Sequence, residues 1–111
     1  MNLAKPILEV LKILPKDTIC TVGIFSNKDG AKMCPLSHYL IQRGLINKKV
    51  FKDYANGKFS DKTLEMRKLL ISYKEKFDYD LFDDLVKLRG YQKEAPIEVI
   101  IEVLTKMSID Q

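Results

Sequence analysis

Cys34 and His38 stand four residues apart, a spacing that puts two side chains on one helix face and opens two kinds of chemistry. Cys34 precedes a helix-like segment, where the helix dipole lowers a thiol pKa, and His38 is placed to act as its base. A nucleophilic pair also needs a group to orient the imidazole and donors for an oxyanion. No segment supplies either, and His38 is the sole histidine. As metal ligands, Cys20, Cys34 and His38 make three, with Asp29 the only further candidate, whereas a structural zinc site closes on four, usually with paired cysteines. Asp78, Asp80, Asp83 and Asp84 lack the glycine and closing glutamate of a calcium loop; their spacing suits a helix N-terminus instead. The five glycines are scattered singly, so no glycine loop is present to cradle a phosphate. Each grouping lacks a necessary member. The sequence therefore predicts a protein that binds rather than catalyses, with no metal and no cofactor.

Binding chemistry is concentrated in the middle of the chain. If residues 47–55 (NKKVFKDYA) are helical, Val50, Phe51 and Tyr54 face inward while Lys48, Lys49 and Lys52 face out. Lysines hold phosphate as flexible point charges and give salt-dependent affinity. Asn56-Gly57 ends this segment and Lys58 follows. Ser60, with Thr63 in the same turn, opens the next helix, whose free N–H groups and positive dipole end attract phosphate. Phe59, beside Lys58, is placed to stack on a base or a nucleotide.

Residues 36–77 hold a helix, a glycine-containing turn, a short basic helix, Tyr54-Ala55-Asn56-Gly57-Lys58 and Ser60-Asp61-Lys62-Thr63. This order resembles the helix-turn-helix domains of the Lac-repressor-like and lambda-repressor-like families. Those families often end the recognition helix with a hydrophobic–Asn-Gly-Lys segment and open the next helix with Ser-x-x-Thr. The resemblance implies a DNA-binding regulator with Lys48, Lys49, Lys52, Asn56, Lys58, Ser60 and Thr63 at the nucleic acid. The chain departs from the pattern in a turn from Gly44 to Asn47 that is one residue longer, and in an outward face with little Arg, Gln or Ser to read base edges. The competing expectation is a small inhibitor of the type phages and mobile elements encode. Such a protein covers a host protein surface, or holds a nucleotide signal in an oligomeric pocket.

The elements that must position these residues are mainly helical. The apolar spacing predicts helices over 4–14, 35–43, 47–55, 60–77, 80–89 and from Pro96 to about Met107. Leu64, Leu69, Leu70, Tyr73 and Phe77 form the expected buried side of the fourth, and Asp80 the expected cap of the fifth. Residues 18–25 (TICTVGIF) favour extended structure. With no second strand legible, this segment either pairs across a homodimer or higher oligomer, or packs as a loop. The expected fold is a compact bundle of about six short helices with one extended segment, a single domain over 1–111. A 46% hydrophobic and 31% charged composition fits a globular rather than a disordered chain. The net charge of +4 suits an anionic partner, nucleic acid or nucleotide. The N-terminus lacks a signal-peptide pattern, and apolar runs fall short of the about 20 residues that span a bilayer. A cytoplasmic protein with free thiols and no membrane partner is expected.

Overall fold

Ala4, Ile7, Leu8 and Leu11 recur at three- and four-residue spacing and all four are buried, so the first amphipathic stripe becomes helix α1 (Ala4–Lys12) with that stripe facing the core. The structure is a computed structural model describing residues 3–109. In chain order α1 is followed by β1 (Ile19–Thr21), α2 (Pro35–Gln42), α3 (Lys48–Ala55), α4 (Asp61–Phe77), α5 (Tyr79–Lys87), β2 (Glu94–Pro96) and α6 (Ile97–Ile109). The expected mainly helical bundle is what is seen. α6 buries Ile97, Ile100, Val103, Leu104 and Met107 and packs chiefly on α1, whose other neighbour is α2. α4 joins α3 to α5, and a single apolar cluster runs through all six helices. The radius of gyration, 13.1 Å, matches the value of about 13 Å expected for one domain of this length.

The extended segment finds its partner within the chain, where the sequence offered none. β1 pairs antiparallel with β2 in the register Ile19 to Pro96, Cys20 to Ala95 and Thr21 to Glu94. The ladder continues at both ends, with Val22 N–H donating to Lys93 O and Ile97 N–H to Thr18 O. These bonds fall on alternate residues, so the nitrogen of Pro96 faces away from β1 and no ladder donor is lost. Glu94-Ala95-Pro96 reads as a helix start because proline is favoured there. In the fold Pro96 closes the strand and the helix begins at Ile97.

Two further expectations are corrected. α4 turns Thr63, Met66, Leu70 and Phe77 to the core, leaving Leu64 exposed and Leu69 and Tyr73 half-buried. The true stripe contains a threonine, which an apolar count passes over. α5 is preceded by Asp78 rather than capped by Asp80. Asp78 takes the left-handed conformation (φ 55°) and ends α4 and starts α5 at one residue.

Phe77, Phe82 and Tyr79 meet at the α4–α5 corner with ring centroids 5.2–6.2 Å apart, and Phe82 is fully buried. Phe82→Ala is expected to cost about 3–5 kcal/mol in urea unfolding, while Leu64→Ala stays within about 0.5 kcal/mol of the parent. A comparable loss for both would contradict the orientation of α4.

Candidate nucleic-acid interface

α3 starts at a cap, Asn47, whose side-chain oxygen accepts from Lys49 N–H at 2.9 Å. Its inward residues are Phe51, fully buried, with Val50 and Tyr54 half-buried; Lys48, Lys49 and Lys52 are exposed. The lysine face is not bare. The turn between Ser26 and Met33, closed by a backbone bridge, by Asn27 N–H donating to Lys32 O and by Lys32 N–H donating to Asn27 Oδ1, lies along it. Gly30 at the tip is buried with φ +73°. A Cβ there would sit 3.6 Å from Lys52 Cβ and 3.7 Å from Lys48 Cε. Only a glycine takes that backbone without strain and lets the two lysine stems lie close.

Asn56 holds the turn in place. Its side-chain amide donates to Lys28 O at 2.6 Å and to Lys52 O at 2.8 Å, so it both closes the end of α3 and ties it to the turn. Lys58 is exposed, its own N–H donating to Asp53 O. Ser60 and Thr63 form a reciprocal capping box. Ser60 N–H donates to Thr63 Oγ1 at 2.7 Å, Thr63 N–H donates to Ser60 Oγ at 3.4 Å, and Thr63 is buried. Thr63, and the amide donors of Asn56, are therefore spent inside the fold, while the four lysines and the rim of Ser60 face out. Lys28, Gly30 and Phe25 also belong to this surface. Asn27-Lys28-Asp29-Gly30 is by composition a turn signal, and nothing in it indicates which helix the turn covers.

Charge is unevenly distributed. Residues 47–68 carry seven basic and three acidic side chains, an excess equal to the +4 of the whole chain; elsewhere twelve bases balance twelve acids. The ion pairs among the described residues are Lys12–Glu9, Lys32–Glu94, Lys74–Asp80 and Arg89–Glu102, and none involves residues 47–68. Two open depressions flank α3. One, about 570 Å³, lies between α3 and α4, with Lys49 and Lys62 opposed by Asp53 and Glu65. The other, about 590 Å³, lies between α3 and residues 23–28.

The thiol and imidazole chemistry resolves differently. Cys34 caps α2, its Sγ accepting from Ser37 N–H at 3.4 Å and lying 3.2 Å from Ser37 Oγ, and is fully buried. Burial pushes the Cys34 thiol up, and pushes Cys20 up to about 12. Both cysteines are free. Burial, and then the charge of Lys48, lower the pKa of His38, whose Nε2 has no hydrogen-bond partner. Cys34 thus keeps its proton and faces Ser37 rather than a basic imidazole. Burial also raises the pKa of Asp83 on α5, whose Oδ1 lacks a partner. Among the described residues no three His, Cys, Asp or Glu side chains converge as they would on a metal, and no helix is long and apolar enough to cross a membrane.

The chain matches no protein-family model, no curated protein and no solved structure.

A histidine whose folded pKa is depressed favours folding above its unfolded pKa, and that stability is lost as pH falls through about 6.5 toward the folded value. The urea midpoint should therefore decline between pH 7 and 5 more steeply in the parent than in His38→Gln. Equal slopes would show that His38 is not a group that couples to folding. Asp83, raised, acts in the opposite sense, losing stability as pH rises through its folded pKa, so Asp83→Asn should gain stability at neutral pH.

Proposed function

We propose that this chain is a non-enzymatic nucleic-acid-binding protein that holds the phosphate backbone through Lys48, Lys49, Lys52 and Lys58 around α3. The observation that carries the reading is the concentration of the whole net charge in residues 47–68, on exposed side chains with no internal ion pair. Exposed, unpaired lysines keep their counterions in free solution and release phosphate counterions on contact, which favours binding entropically. The resemblance to helix-turn-helix domains directs attention to the same segment. A recognition helix, however, enters the major groove with its outer face open, and here Gly30 lies along the stems of Lys48 and Lys52. Contact with phosphates suits this surface better than the reading of base edges. Free buried thiols suit a reducing, cytoplasmic setting, and β1 needs no second copy to complete its pairing.

The test is binding to a panel of labelled single- and double-stranded oligonucleotides over a salt series. The parent should weaken steeply with salt, and Lys48→Glu, Lys49→Glu and Lys52→Glu together should lower the log–log salt slope by about 2. His38 offers a second readout. Burial is the larger cause of the depressed imidazole pKa and the charge of Lys48 the smaller; an anion at Lys48 offsets the second, so the histidine pKa should rise on binding. Unchanged affinity in the triple variant would overturn the reading.

A further inference from the structure

We infer that the cleft between α3 and residues 23–28 takes an unpaired base, so that the preferred ligand is single-stranded nucleic acid; the inference rests on the nucleic-acid reading above. The cleft, about 590 Å³, is of small-ligand size. Residues 23–28 line one side, and Phe51, Tyr54 and Ala55 of α3 the other. Phe51 is fully buried and offers no open face, whereas Phe25 and Tyr54 are half-buried and Ile24 has 54% of its surface exposed.

Phe59 extends this surface. Its ring meets Tyr54 edge-on with centroids 5.6 Å apart, yet 71% of the residue is exposed. Such a ring contributes little to the core, and water is a poor environment for its faces. Lys58 precedes it, and Lys28 and Lys52 are exposed on the turn and helix that bound the cleft. Lysines beside open aromatic faces are the combination by which single strands are held: charge follows the backbone while bases stack on rings. A duplex keeps its base faces stacked on one another and has none to offer. Asn56, bonded to Lys28 O, fixes the two walls relative to each other before any ligand arrives, which spares binding an ordering cost. The depression on the α4 side has opposed charges at its rim and lacks this complementarity.

The experiment uses the full chain and fluorescence anisotropy with a labelled oligothymidylate of about 20 nucleotides and a duplex of equal length. The parent should bind the single strand at least about tenfold more tightly at equal salt. Phe59→Ala should weaken single-strand binding about 5- to 100-fold, the scale of one lost stacked base, while leaving the salt slope unchanged. Phe59→Trp should restore it. Because Phe59 is exposed, neither variant should alter unfolding, which a urea titration checks. If Phe59→Ala binds the single strand as the parent does while the triple lysine variant loses it, the base-stacking inference is overturned and backbone binding stands. A preference for duplex also overturns it. If the parent binds neither probe at low salt, the nucleic-acid reading itself falls.

Discussion

Packing of α1 on α6 is the constraint on which the remaining architecture depends. The stripes Ala4, Ile7, Leu8, Leu11 and Ile97, Ile100, Val103, Leu104 come from segments some ninety residues apart and form the chain's most extensive helix pair. Its isoleucine, leucine and valine side chains contribute roughly 1.5–3 kcal/mol each on burial, so the pair closes most of the chain into a loop. The strand pair follows from it. β1 lies soon after α1 and β2 immediately before α6, so bringing the helices together sets the two strands side by side. Three residues each would not form a stable ladder in isolation.

Everything between those fixed ends is an excursion, and its charge reflects that. Outside residues 47–68 acids and bases balance, and the four ion pairs among the described residues all lie there. The middle carries the excess, on a helix whose inner face is anchored chiefly by Phe51. A short helix of eight residues is marginal alone. Here it is held from one side by α4 and from the other by the turn at Gly30, with Asn56 bonded across to Lys28 O. Lys48 and Lys52 therefore lie along the turn while remaining exposed. That arrangement keeps charge available without leaving the helix to fray.

The groups that looked most reactive are put to structural use. Cys34 and Ser37 cap α2, and Ser37 Oγ in turn donates to Phe25 O at 2.8 Å. This bond joins the start of α2 to the wall of the cleft beside α3. Cys34 N–H donates to the same carbonyl. A buried thiol with a raised pKa is a poor nucleophile, but as a small apolar cap it tolerates the desolvation that a serine or aspartate at that position would feel more strongly.

Much of this fold was legible in the linear pattern. Periodic stripes of Ile and Leu, proline near helix starts, and Asn47 and Ser60 as caps identify six helices, because these signals act within a few residues through backbone hydrogen bonds and one buried face. They also place Lys48, Lys49 and Lys52 outside, since Phe51 has to be inside. What the sequence alone could not show depends on contacts between distant segments. The partner of β1 was hidden because Pro96 mimics a helix start, and only its register shows that the missing N–H points away from the ladder. Thr63 looked available, and its capping role depends on its side chain being turned inward. The turn's seat on α3 rests on Gly30 against Lys52 and Asn56 against Lys28, pairs 22 and 28 positions apart. Local propensity determines which residues face the same way on a helix. Which surface then meets that face is decided by long-range burial, and spacing along the chain carries no record of it.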